Sequence, residues 1–234
     1  MDMDLLQQAI PFLLKGAQVT LLIGLFGVLV GLPLGVLLAL LRLSGRPWVV
    51  ACCSAFSGLF RGTPLLVQLF ILYYGFGQLE FVRHNPVLWW VVGSSLNCAV
   101  LTVVLNTVAY TSEIFRGGFQ SVSHGLVEAA QACGMSKWVT FLRVRFPLAL
   151  RQALPAYGNE IAIIVKESSL ASTITVLEIT GYAKRLMSET FAIIEIFVIA
   201  SVFYLVINLV AMLLVRQFEH YLSGGVKATR KIRI

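Results

Sequence analysis

The side chains whose placement could do chemistry are the polar ones set inside apolar sequence. "PAYGNEIAIIVKESS", residues 155–169, carries Asn159 and Glu160 early in an apolar run and Lys166, Glu167 and Ser168 at its far end. Ionisable groups in such surroundings are costly unless they are paired or face water, so they point to a polar path or to a partner. A carboxylate facing a cavity would receive a guanidinium or ammonium group through a charge-assisted hydrogen bond; as the alternative, Glu160 is the structural partner of a basic residue. The second such place is "FRGTPLLVQ", which joins Arg61 to Gly62, Thr63, Pro64 and Gln68. Gly62 and Pro64 can interrupt a helix, and backbone groups freed at a break are tolerated where they line a water-filled cavity. Arg61 then either gates or steadies that break, or it snorkels toward an interface.

Other chemistry is excluded. The sequence has no G-x-x-x-x-G-K-[ST] phosphate loop and no G-x-S-x-G or H-E-x-x-H constellation, so neither nucleotide binding by that route nor hydrolysis is expected. His84, His124 and His220 are far apart and sit in or beside expected loops, which argues against a metal site. Cys52, Cys53, Cys98 and Cys133 lack paired C-x-x-C spacing and read as small packing residues. No catalytic residue, metal ligand or cofactor-binding residue is expected in this chain.

The elements that must position the polar groups are membrane helices. Of the 234 residues, 58% are hydrophobic and 12% charged, with a mean hydropathy of +0.86, more apolar surface than a water-soluble domain can hide. Apolar blocks near 17–41, 49–79, 87–112, 153–167 and 190–215 predict an all-α integral membrane protein with five transmembrane helices. They form one membrane domain over 1–234. Asp2 and Asp4 stand where a signal peptide would carry positive charge, so the first span is expected to be retained.

Charge gives the orientation. If the segment after the first block is inside, the inside set holds Arg42, Arg46, Arg116, Lys137, Arg143, Arg145, Arg151, Arg216, Lys227, Arg230, Lys231 and Arg233, or 12 of the 18 Lys and Arg. The opposite side holds Lys15, Arg83, Lys184 and Arg185. This asymmetry places the N-terminus outside and the C-terminus inside. It also accounts for the formal charge of +7 through cytoplasmic loops, with no nucleic-acid partner. Within the first span, Gly24, Gly27, Gly31 and Gly35 line one helical face and predict close approach of a neighbouring helix.

One stretch in the cytoplasmic segment 116–150 is not a span: "EAAQACGMSKWVTFLRVRFP", Glu128 to Pro147. The residues before Gly134 form an amphipathic helix with Val122, Leu126, Ala129, Ala130 and Cys133 near one side, and Gly134 can take the left-handed conformation that ends it. Ser136 can cap a second helix carrying Trp138, Phe141 and Leu142, and Pro147 is expected to break it. Physically, this knob is either a docking element or an amphipathic hairpin lying on lipid headgroups.

Glu-Ala-Ala, then Gly134, then "VRFP" resembles the cytoplasmic signature of bacterial ATP-binding cassette importer permeases, with Val144 at the hydrophobic position and Phe146 where leucine is usual. "FRGTPLLVQLFILYYG", "LNTVAYTSEIFRGGFQSVSHG", "PLALRQALPAYGNE" and "SSLASTITVLEITG" extend the resemblance over nearly the whole chain, to the polar amino acid uptake subfamily. The likeness is strongest to permeases for histidine, lysine-arginine-ornithine and octopine-type substrates.

That resemblance implies a bacterial cytoplasmic (inner) membrane protein. Two permease chains, usually different from each other, would work with two ATPase subunits that bind ATP and Mg, and with an extracytoplasmic solute-binding protein. Glu128, Ala129, Ala130, Gly134, Ser136, Val144 and Pro147 would then couple the knob to an ATPase. Arg61, Gly62, Thr63, Pro64, Gln68, Asn159, Glu160, Lys166 and Ser168 would line or support the route of a polar, basic amino acid or an opine. Two other classes are weaker: a secondary transporter commonly shows an inverted repeat, which these five blocks lack, and a purely structural subunit needs no polar groups along a path.

Overall fold

Helix α1 runs from Met3 to Arg42, and its leucine-rich sequence carries Pro11 and Pro33 without ending. Residues 3–222 are described by the computed structural model, and among them every regular element is helical. The basic tail residues Lys227, Arg230, Lys231 and Arg233, and Asp2, lie outside the described residues. At 1.5 Å per residue α1 is about 60 Å long, roughly twice the hydrocarbon core of a bilayer. The first apolar block is therefore the middle of a longer helix.

The glycine stripe explains how α1 packs. Helix α6, Ser95–Gln120, lies so close that a Cβ on Gly31 would come within 2.6 Å of Thr107 Cγ2, and one on Gly35 within 2.5 Å of Thr111 Cβ. Glycine and threonine on facing helices give the close approach that apolar bulk would forbid. Three core clusters follow one another along α1. Ala9 and Leu13 pack with Ile179, Ala183 and Ile196; Ile23 packs with Val103 and Ile164; Ala39 packs with Phe115, Phe119 and Ala149.

The second apolar block is two helices. α2, Pro47–Gly62, and α3, Leu65–Phe70, meet at Gly62-Thr63-Pro64, and the chain bends there by 102°. A π turn over Ile71–Gly75 and a 3₁₀ turn over Phe76–Gln78 continue α3. A short helix α4, Glu80–His84, precedes the third block, which itself divides into α5, Pro86–Val92, and α6, which begins after Gly93 and Ser94. α6 continues through Arg116 to Gln120, so the connecting segment is shorter than the charges suggest.

The rest of the chain is α7, His124–Ala132; α8, Lys137–Thr140; a π turn, Phe141–Arg145; α9, Phe146–Glu167; a 3₁₀ segment, Ser168–Ile174; α10, Ile179–Thr190; and α11, Ile193–Leu222. Pro147 does not break this run, contrary to expectation. It falls at the first turn of α9, where a missing N–H is harmless, and the wider π turn before it closes with Phe146 N donating to Phe141 O. Residues 137–167 are therefore helical without interruption.

Among the described residues three helices can cross a membrane by length and composition, α1, α6 and α11, or four if the bent α2–α3 pair is one span. α9 falls short because Arg151, Gln152, Asn159 and Glu160 interrupt its apolar run. Large apolar side chains of α1 and α11, among them Leu25, Leu29, Leu205 and Leu213, face outward, as a lipid environment requires.

Candidate functional site

The break in the second block is built from polar side chains that replace lost helix hydrogen bonds. Thr63 Oγ1 donates back to Leu59 O at 2.8 Å, and Gln68 Nε2 donates to Phe60 O at 2.8 Å and Thr63 O at 3.0 Å. Asn106, buried on α6, donates to Phe60 O at 3.3 Å and to Gln68 Oε1 at 3.4 Å. Carbonyls freed by Gly62 and Pro64 thus find partners inside the protein rather than in lipid. An apolar groove of about 350 Å³ flanks the turn, lined by Phe60, Val67, Ile71 and Leu105 with Thr63 and Gln68.

Arg61 belongs to a four-charge cluster. Glu113 Oε2 accepts from Arg42 at 2.7 Å and lies 3.2 Å from Arg61, while its other oxygen pairs with Arg116. Arg61 also stands over the Tyr110 ring, 5.6 Å from its centroid. One carboxylate therefore fastens α1, α2 and α6 together. Sequence reading misses Glu113 because it stands one residue past an apolar block, where a charge looks ordinary.

The polar groups of α9 do not meet the break. Asn159 is exposed and its neighbour Glu160 is 5% exposed, so the two side chains point to different sides of the helix. Among the described residues no hydrogen bond or ion pair joins Glu160 to Arg61 or Gln68. Gly158, between them and α11, allows close packing: a Cβ there would lie 2.6 Å from Val215 Cγ1. Lys166 is exposed at the end of α9 and makes no ion pair among the described residues. Ser168 is fully buried, and its hydroxyl donates to Val165 O at 2.8 Å, so its role here is to shape the helix end.

A carboxylate absent from the expected set sits nearby. Glu178 is fully buried and caps α10, accepting from Gly181 N at 2.8 Å and Thr180 N at 3.0 Å, while Tyr204 of α11 donates to it. Burial pushes its carboxyl above the ordinary carboxylate range, against the pull of these three hydrogen bonds. The backbone of α1 touches this cap, since a Cβ on Gly16 would lie 2.8 Å from Ile179 N. Glu178 stands three residues before Gly181, but glutamate is not among the usual N-cap residue types, so the sequence carries little signal for this cap.

The knob folds as a helix, a glycine turn and a second helix. α7 stops two residues before Gly134, whose φ is +82° with open space about its Cα, and Ser136 Oγ accepts from Val139 N at 3.3 Å to start α8. Val122 and Val127 turn inward on Phe119 and Phe141 and Ala130 is buried, whereas Ala129 and Cys133 are exposed, a correction to the face read from the sequence. Glu128, Ala129 and Gly134 lie on the outer surface, Val144 and Pro147 are half-buried at the root. Leu126, Leu142 and Trp138 also face out, Trp138 at 67% exposure. Of the cysteines, only Cys98 is buried as a packing residue should be.

The sequence pattern described as binding-protein-dependent transport system inner membrane component matches residues 31–223. The nopaline transport system permease protein NocM of Agrobacterium fabrum is 45% identical over 97% of this chain and 95% of its own length. HisM of Salmonella typhimurium, a histidine/lysine/arginine/ornithine transport system permease protein, is 41% identical, covering 87% of each. A crystal structure described as an amino acid ABC transporter with histidines superposes with a TM-score of 0.82 at 31% identity, over 94% of this chain and 99% of that one. An inward-facing MetNI methionine ABC transporter shares the fold, with a TM-score of 0.66 at 19% identity over 95% of this chain and 99% of that one.

Proposed function

Because the chain belongs to the family of binding-protein-dependent transport system inner membrane components, as a permease of the polar amino acid ABC importer type, we propose that it passes basic amino acids or opines through the membrane by alternating access. It is a transport subunit of the inner membrane and not an enzyme. In the proposed assembly it works with a second, homologous but different permease, two ATPase subunits carrying ATP and Mg, and an extracytoplasmic binding protein. Five spans are proposed, with the α2–α3 pair and α9 completing the three that length and composition select, and with the N-terminus outside.

The observation that carries this reading is the knob and its attachment. Leu126, Trp138 and Leu142 put apolar side chains on an outer surface beside Glu128 and Ala129, suited to a groove on a partner protein. The second helix of the knob continues unbroken into α9, which holds Glu160 and Lys166. Movement of a docked ATPase would therefore reach the polar groups of the span without crossing a flexible joint. ATP binding favours one arrangement of the permeases, and delivery of ligand favours transfer into the cavity that opens.

The test uses the permease pair, ATPase and binding protein in lipid nanodiscs. ATP hydrolysis should rise when the binding protein carries a basic amino acid or an opine. Gly134→Asp, which places a charge at the outer turn of the knob, should abolish that rise while leaving the permease pair folded. An unaltered response in this variant, or no ATPase retained by the wild-type pair, refutes the coupling role and leaves a knob that lies on lipid.

A further inference from the structure

At the root of the knob lies a cavity of about 250 Å³ that neither the route nor the outer docking surface uses. Three segments wall it: Phe119 and Gln120 at the end of α6, His124 and Val127 on α7, and Arg145 at the close of the π turn that leads into α9. Phe119 is 1% exposed, and the Arg145 guanidinium stands 6.0 Å from the centroid of its ring.

Each polar side chain at this cavity brings a hydrogen-bond donor. Arg145 carries five guanidinium N–H groups and makes no hydrogen bond or ion pair among the described residues. Gln120 is oriented by Arg116, which can only donate: the guanidinium meets Gln120 Oε1 at 2.8 Å, so the amide oxygen is occupied and the NH₂ end remains. The same contact polarises the amide and strengthens it as a donor. His124 keeps at least one ring N–H in either charge state. Among the described residues no Asp or Glu lines the cavity, so nothing in its wall balances Arg145. Carbonyls at the end of α6 oppose an anion, but Ser121 occupies two of them, its N–H donating to Gly117 O at 3.0 Å and its hydroxyl to Gly118 O at 2.8 Å.

We propose that this cavity binds a phosphate group, as the free ion or as an anionic lipid headgroup, with Arg145 as its charge partner and Gln120 and His124 as further donors. A phosphate presents several acceptor oxygens at once, and an arginine can meet two of them with parallel N–H groups. One such group holds α7 to the end of α6 and to the root of α9, closing the knob against its own shaft. Binding is a property of this chain alone and does not depend on the importer reading.

The experiment uses the full-length chain in phosphatidylcholine nanodiscs, free of nucleotide and ATPase, with radiolabelled inorganic phosphate as the probe. Arg145→Met should weaken binding by about tenfold or more and Gln120→Met by about twofold to tenfold, the effects of one charge-assisted and one neutral contact. Arg145→Lys, which keeps the charge, should recover part of the loss. Arg143→Met, which removes an exposed cation from the same turn, should change nothing. Melting midpoints separate the two sources. A free ion stabilises wild type over Arg145→Met only when phosphate is added to phosphatidylcholine discs, whereas a headgroup does so in phosphatidylglycerol discs without added phosphate; either result supports the site. Equal losses in Arg143→Met and Arg145→Met reveal diffuse basic charge and overturn it, as does the lack of any difference between wild type and Arg145→Met with both sources. If neither source binds and Arg145→Met releases the ATPase from the complete complex, the cavity receives an acidic side chain of that partner and the phosphate site is refuted.

Discussion

Replacing Glu113 by Gln removes the one carboxylate shared by Arg42, Arg61 and Arg116. Each contact joins two charged groups, and a hydrogen bond to a charged group contributes about 1.5–3 kcal/mol net to stability. The side chains are 25% exposed for Glu113 and 11%, 38% and 28% for the arginines, so solvent screens part of every contact, and Arg42 least. A net loss of about 3 kcal/mol follows, dominated by Arg42 left nearly buried without a counter-charge. For a chain of this size about 1 kcal/mol moves the melting temperature by about 2–4 °C, so the midpoint should fall by about 6–12 °C. Thermal unfolding in nanodiscs measures it. The sharper check is the sign of the second substitution. If the unpaired cation is the cause, Arg42→Met in the Glu113→Gln background should raise the midpoint again. A further fall, or a Glu113→Gln midpoint within about 1 °C of wild type, refutes the charge account.

Gln68→Leu leaves Phe60 O and Thr63 O with fewer partners at the break, at a cost of about 1–3 kcal/mol for each carbonyl left unsatisfied, and should lower the melting midpoint more than Val67→Ala on the neighbouring exposed face. Gly35→Val should prevent α1 from seating on α6, since even a Cβ would stand 2.5 Å from Thr111, and the folded yield should collapse; Thr111→Gly should restore part of it. A membrane-impermeant maleimide should label exposed Cys133 only from the cytoplasmic side and leave buried Cys98 unreacted, which tests the proposed orientation directly.

Features set by spacing were legible in the sequence. Gly27, Gly31 and Gly35 recur at helical intervals, and the structure puts them against α6; Gly62 and Pro64 interrupt a hydrophobic block, and the chain bends there. Gly134 and Ser136 announced a turn and a cap in residue types that leave few other uses. What stayed hidden depends on which distant segments meet. Asn106 and Gln68 are 38 residues apart and Glu113 and Arg42 are 71 apart, so no local pattern marks them as partners. Pro147 misled because local sterics say break, whereas one widened turn upstream absorbs the ring. For the α9 residues, composition marks Asn159 and Glu160 as unusual without telling which faces inward, because adjacent helix positions differ by a third of a turn.

The length of α1 has a consequence for how the protein is made. Ala9, Leu13 and Gly16 have their packing partners in Ile179, Ala183 and Ile196, and in the backbone at the Glu178 cap, all near the other end of the chain. A ribosome delivers these partners only after most of the polypeptide has already left it, so the first segment synthesised is the last to be completed. Until then the N-terminal third of α1 has one finished side, toward lipid, and one raw side. Shortened products that stop before residue 179 keep that raw side permanently. They should be inserted and yet recognised as unfinished, which makes the meeting of α1 with α10 a natural checkpoint for quality control in the membrane.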